Sequence, residues 1–146
     1  MPEVSNSRRA GREGRDDEGG KEMLANSPFY AGFAVDDIAG AKAFYERLGV
    51  ARVIDVGPGL LSLQAGNGYA VLVYEKDTHN PAEHTILNFP VDDIEAAVAG
   101  LRAAGVEFEH YDEGPLATNE KGIATPGPKQ AWFRDPAGNI LSVIEG

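Results

Sequence analysis

The chain carries one motif twice. Phe33-Ala34-Val35-Asp36-Asp37-Ile38 returns as Phe89-Pro90-Val91-Asp92-Asp93-Ile94, 56 positions later. The likeness runs on through Ala41 and Ala97, then Ala43 and Ala99, to Gly49-Val50 and Gly105-Val106. Nine of eighteen aligned positions are identical. A repeat of this kind constrains the fold more tightly than local propensity does, because each copy is one supersecondary unit that must find a partner. Each copy reads as a strand, an Asp-Asp turn, a helix and a glycine stop. A unit of about 55 residues is marginal on its own, so the two copies are expected to share a buried surface.

Period and punctuation give the elements. Residues 29–35 alternate as a strand. Asp36 or Asp37 then caps a helix in which Ile38, Ala41, Phe44, Tyr45 and Leu48 recur at helical spacing until Gly49 ends it. Short strands follow over 52–56, 60–64 and 69–75, separated by Gly57-Pro58-Gly59 and Gly66-Asn67-Gly68. A polar connector with Pro81 leads to the second copy. There, a strand over 84–91 and a helix over 94–104 precede strands over 106–111, 131–134 and 140–145. Each unit is thus βαβββ. Residues 112–128 form a long Gly/Pro-rich loop with no counterpart in the first copy, and loops of that length commonly act as lids or binding loops. Glu120 and Lys121 are its candidates for reaching over a cleft.

Composition removes several function classes. The chain has no cysteine, which excludes disulfides, thiolate metal sites and cysteine nucleophiles, and fits a reducing, cytoplasmic setting. No apolar run approaches the roughly 20 residues of a membrane span. The N-terminal arginines are followed by no apolar stretch, so no secretory signal is expected. Net charge is −10, of which residues 1–27 contribute only −1, and a surface of that sign argues against a nucleic-acid partner. Residues 1–27 are rich in Gly, Ser, Arg, Asp and Glu and are expected to be a disordered tail. Residues 28–146 then form a single domain, with repeat one over 28–76 and repeat two over 83–146.

Two stretches carry a resemblance. Val35-Asp36-Asp37 followed by Ala43-Phe44-Tyr45-Glu46-Arg47-Leu48-Gly49, together with Trp132-Phe133-Arg134-Asp135-Pro136-Ala137-Gly138-Asn139, resembles the vicinal oxygen chelate superfamily of glyoxalases, bleomycin-resistance proteins and extradiol dioxygenases. The resemblance implies an α+β fold in which two tandem βαβββ units form a half-open barrel around a ligand cleft, often in a homodimer. It also implies where a metal would be held. The His and Glu ligands of the family's enzymes map here onto Tyr30, Ile86, Ser142 and the cleft-facing Ala70 or Leu72. None of these suits a divalent cation, which needs several converging N or O donors. Among the three histidines, His79, His84 and His110, only His84 is placed to substitute, two residues before Ile86 on the same strand face. The expectation is therefore a protein with no metal cofactor, close to a metal-lacking subgroup of the family.

Alternation along the strands then predicts the cleft lining. Tyr30, Gly32 and Ala34 should face it from the first strand, Ile86, Asn88 and Pro90 from the fifth, and Ile140, Ser142 and Ile144 from the last. Trp132 and Arg134 should project on the face opposite Phe133. An apolar concavity with a few polar groups is how small-molecule pockets are built. The candidate ligand-binding residues are Tyr30, Asn88, Trp132, Arg134 and Ser142. Two readings follow. One is a metal-free protein that sequesters or senses a small organic molecule. The other is a lyase, isomerase or dioxygenase of the glyoxalase type, with a divalent metal in a site displaced to His84 and Glu75 or Glu145.

Overall fold

A computed structural model of the chain describes residues 22–115, 117–125 and 127–146. The first unit runs β1 (Ala31–Val35), α1 (Ile38–Leu48), β2 (Arg52–Gly57), β3 (Leu60–Gln64) and β4 (Ala70–Glu75). The second runs β5 (Thr85–Val91), α2 (Ile94–Ala103), β6 (Ile123–Ala124), β7 (Gln130–Arg134) and β8 (Ile140–Glu145). Each unit folds into a four-stranded mixed sheet with the same order, β1-β4-β3-β2 and β5-β8-β7-β6. The first strand of each lies parallel to the last, and the remaining pairs are antiparallel. The expected tail lies outside the described residues up to residue 21.

The repeated Asp-Asp turn works through its second carboxylate. Asp37 Oδ1 accepts from Gly40 N at 3.1 Å, and Asp93 Oδ1 accepts from Ala96 N at 3.1 Å. A second carboxylate reaches each helix start from the last strand of its own sheet. Glu75 Oε2 accepts from Ile38 N at 3.0 Å, and Glu145 Oε2 accepts from Ile94 N at 3.1 Å. Both groups satisfy backbone N–H donors that have no partner within the helix and lie at the positive end of its dipole. Gly49, at φ 85°, stops α1 in the left-handed region that glycine enters without steric cost.

The two units share one core. Ala41, Phe44 and Tyr45 are buried on α1, and Ile94 and Val98 on α2. They pack among Phe33, Val35, Leu61, Leu63 and Val73 of sheet one and Ala131, Phe133, Leu141 and Val143 of sheet two. Aromatic contacts bridge the units: Phe33 meets Tyr45 at 6.0 Å, Tyr45 meets Phe44 edge-on at 5.1 Å, and Phe44 meets Phe133 at 6.4 Å. A buried polar clasp adds to them. Tyr45 Oη donates to Asp135 Oδ2 at 2.7 Å. That carboxylate also accepts from Ala137 N, Asn139 N and Asn139 Nδ2, whose other hydrogen bond goes to Ala34 O in β1. Burial first, then the nearby Asp135 charge and the hydrogen bond to it, push the Tyr45 phenol well above its ordinary pKa, so it stays protonated.

Sheet faces that point into this core cannot also face each other across a cleft. The opposite faces of both sheets therefore point outward, and the sheets do not close on one another within the chain.

The second unit departs from the alternation read in the sequence at three places. Residues 106–111 form no extended ladder. Their backbone meets β7 at the Phe108–Phe133 bridge and through the bond from Glu109 N to Trp132 O at 2.8 Å, and β6 takes over the edge further along. The long loop thus supplies a strand. Thr85 pairs with Ile140 and Leu87 with Leu141, which leaves Ile86 as the extra residue of a β-bulge. Ile86 consequently packs against the core instead of facing outward. Lys121 also turns away from the outer face: its ammonium meets Glu95 of α2 at 2.9 Å, and its carbonyl accepts from Arg102 at 2.7 Å.

Tyr45→Phe leaves a buried carboxylate one donor short and is expected to cost about 1–3 kcal/mol, read as a lower urea midpoint. Because the folded phenol has the raised pKa, its stabilising effect is complete below the unfolded value of 10.0 and declines as pH rises above it. The difference between parent and Tyr45→Phe should therefore shrink above that pH. Glu75→Ala and Glu145→Ala should each lose about 0.5–2 kcal/mol, with the glutamine variants intermediate.

Candidate functional site

The outer face of sheet two carries a polar row across three strands. Asn88 of β5 is paired with Ser142 of β8, and Ser142 with Trp132 of β7. The next row is Pro90, Ile144 and Gln130. Period-two alternation puts both rows on the side opposite the buried Ala131, Phe133, Leu141 and Val143. Three of the candidate residues, Asn88, Trp132 and Ser142, are thus brought together.

Their side chains are linked. Ser142 Oγ donates to Asn88 Oδ1 at 2.5 Å, and Gln130 Nε2 donates to Ser142 Oγ at 3.0 Å. Gln130 Nε2 also lies 3.5 Å from Asn88 Oδ1. Ser142 is fully buried beneath the two amides, whereas Asn88 is exposed and Gln130 half-buried. A buried hydroxyl costs about 1–3 kcal/mol if left unpaired, and here both its donor and its acceptor functions are met. Trp132 is buried too and takes the edge of Tyr111 at 5.7 Å. It forms a floor to the face rather than a free stacking surface. Gln130 escaped the sequence reading because the strand was begun at residue 131; carrying the Trp132–Arg134 alternation one step back would have found it.

The other candidates fall elsewhere. Arg134 projects on the same side as Trp132, but its guanidinium donates to Gly138 O at 3.1 Å and meets Glu109 at 3.5 Å, at the end of the strand. Tyr30 precedes β1 and is 68% exposed. The outer face of sheet one carries Gly32, Leu72 and Tyr74. A Cβ on Gly32 would stand 3.2 Å from Leu72 O and 4.0 Å from the Tyr74 ring, so the missing side chain leaves room for that ring to lie across the strand. Sheet one repeats the row of sheet two with its polar groups placed differently: Gly32 and Leu72 stand where the other has Asn88 and Ser142, and Ser62 stands where the other has Trp132.

The metal positions implied by the resemblance hold Tyr30, Ala70 or Leu72, Ser142 and, turned inward by the bulge, Ile86. Among the described residues, no three His, Asp or Glu side chains converge as a cation site. His84 is exposed just before β5, His110 is exposed beyond Phe108, and His79 sits half-buried in the connector, its Nε2 without a partner among the described residues. Glu75 and Glu145 are engaged at the two helix starts. The donor set does not fit a chelated divalent ion.

A groove of about 440 Å³ opens between the last turn of α1 and the small residues Ala97 and Gly100 of α2, with Ala104 at the end of that helix, and reaches β5 at Pro90. Arg47 is its single ionisable lining residue, and Asn88, Gln130 and Ser142 do not line it. Among the described residues, no helix is long and apolar enough to cross a membrane.

Comparison with known proteins agrees with this layout. No curated protein matches the sequence. A lactoylglutathione lyase from Agrobacterium tumefaciens is 25% identical over 82% of this chain and 94% of its own, with a TM-score of 0.57. TnmS3, an antibiotic binding protein from Streptomyces sp. CB03234, is 25% identical over 81% of this chain and 95% of its own, with a TM-score of 0.56. A bleomycin-binding protein, solved in complex with bleomycin, is 20% identical over 82% and 98%, with a TM-score of 0.57, a likeness of fold. The family model of the Glyoxalase/Bleomycin resistance protein/Dioxygenase superfamily matches residues 28–143, nearly all of the described chain, and this protein belongs to that superfamily.

Proposed function

We propose that this protein binds a small organic molecule, as a sequestering or sensing protein, without a metal cofactor. The observation that carries the reading is the Asn88–Ser142–Gln130 network, which lies where the family's enzymes are expected to place a metal ligand. Two uncharged amides held in place by a buried hydroxyl recognise shape and hydrogen bonds rather than charge. The similarity to an antibiotic binding protein and to a bleomycin-binding protein supports the same direction. Cytoplasmic residence is part of the reading and rests on the absence of cysteine.

The cleft in this reading belongs to a homodimer. The outer faces of the two sheets point away from a common core, so one chain offers two half-clefts. Tyr30, Leu72 and Tyr74 of one copy would close over Asn88, Gln130 and Ile144 of another. Pairing unlike faces in this way satisfies a two-fold axis twice, giving two equivalent clefts.

The likeness to a lactoylglutathione lyase favours a second reading, a metal-dependent lyase, isomerase or dioxygenase with a displaced site. It has less support, because Glu75 and Glu145, the carboxylates such a site would draw on beside His84, already cap the helices.

Sedimentation velocity at micromolar concentration should give a dimer. Native mass spectrometry against peptide antibiotics and polycyclic aromatic metabolites should give a guest bound per cleft, with a change in the fluorescence of Trp132, the sole tryptophan. A dimer that holds none of these guests at high micromolar concentration would contradict the binding reading, and a guest held by the monomer would contradict the shared cleft.

A further inference from the structure

A serine hydroxyl has one proton. Set between two amides, it must accept from one and donate to the other. Here Gln130 Nε2 donates to Ser142 Oγ, which donates to Asn88 Oδ1. The chain of bonds fixes both amide planes: Asn88 turns its N–H outward, and Gln130 turns its carbonyl outward. Reversing one amide alone would set like groups against the hydroxyl. Reversing both yields the same outward complement, one donor beside one acceptor. Either way, one donor and one acceptor face outward from two amides whose inward atoms, Gln130 Nε2 and Asn88 Oδ1, lie 3.5 Å apart. Neither outward group has a protein partner among the described residues.

From this we infer that the outer face of sheet two reads an amide edge: a guest presenting a carbonyl next to an N–H, such as a primary carboxamide, a lactam or an imide, on an apolar body. The inference rests on the proposed binding of a guest at this face and names its chemical class. The guest's carbonyl accepts from the Asn88 amide while its N–H donates to the Gln130 carbonyl, and Ile140, Ile144, Pro90 and the Trp132 floor receive the apolar part. Ser142 is a positioning residue; it is buried and touches the guest only through the two amides. A carboxylate guest would bring a second acceptor to the Gln130 carbonyl. It would also meet a chain of net charge −10, in which Arg134, on the same side of β7 as Trp132, is held by Glu109. A site built to pair a donor and an acceptor penalises an analogue lacking one of them, because a desolvated polar group is then left unmatched.

Five probes of similar shape decide it, followed by fluorine NMR of the probe and by the Asn88 side-chain amide signal in the full-length protein. 4-Fluorobenzamide is expected to bind about tenfold or more tightly than 4-fluorobenzoate, as one lost charge-free hydrogen bond with its repulsion implies. N,N-dimethyl-4-fluorobenzamide, an acceptor only, should fall between them, and 4-fluorotoluene should bind weakly and leave the Asn88 amide signal unmoved. Ser142→Ala frees both amides to rotate and should reduce the benzamide-to-benzoate ratio severalfold, a readout that a merely structural role would leave alone. Asn88→Asp replaces the outward donor with an acceptor and should invert the order of 4-fluorobenzamide and 4-fluorobenzamidine in favour of the amidine, which keeps the inference testable should Ser142→Ala fold poorly. Equal binding of amide, acid and toluene would overturn the amide reading while leaving a guest-binding face. Failure of every probe to bind at millimolar concentration would overturn both. A benzamide preference unchanged by Ser142→Ala and by Asn88→Asp would place amide recognition elsewhere and also overturn it.

Discussion

The hydrogen bond from Tyr45 to Asp135 joins residues 90 positions apart and ties the two repeats into one body. Around it, Asn139 reaches back to the β1 carbonyl of Ala34, and the Phe33–Tyr45–Phe44–Phe133 contacts run from one sheet through α1 to the other. A carboxylate removed from water is tolerated only when fully hydrogen-bonded, and this one has four donors. The clasp has a geometric consequence. By directing one face of each sheet into a common core, it directs the other faces outward, where each is available to a separate surface.

The two units then divide the labour. Their shared features are structural: the Asp37 and Asp93 caps, the Glu75 and Glu145 carboxylates on the helix starts, and the same strand order. Their differences lie on the outer faces. Where one sheet has Gly32 and Leu72, the other has Asn88 and Ser142. The first face sets Leu72 and Tyr74 beside Ser62 and Gln64. The second is polar at its centre and apolar around it, the usual balance of a small-molecule site.

Much of this was legible in the sequence because the repeat fixed both fold and alternation. The Asp-Asp turns, both helices with their starts, the buried alternation of Phe33 and Val35 and the outward placement of Asn88, Trp132 and Ser142 all follow from period and position. The exceptions share a cause: they depend on partners distant in the chain. A bulge cannot be read from one strand, so Ile86 was placed on the wrong face. The 106–111 segment has strand propensity, yet the edge of β7 is partly occupied by Ile123 and Ala124 from the long loop. Lys121 finds Glu95 on α2, which no local pattern announces. Tyr45 and Asp135 each looked ordinary, one a core aromatic on a helix, the other a turn residue, until the fold brought them together.

Ser142, held between two amides, stands at a position where the family's enzymes are expected to carry a metal ligand. An amide–hydroxyl chain neither carries a charge nor converges three strong donors, and the histidines are scattered over the connector and strand ends. Metal analysis of the protein purified without chelator, followed by titration with zinc, nickel, manganese and iron(II), tests this most directly. We predict far less than one equivalent of any transition metal on purification and no saturable site that responds to Ser142→Ala or Asn88→Ala. One tightly held ion per chain, lost in either variant, would contradict it.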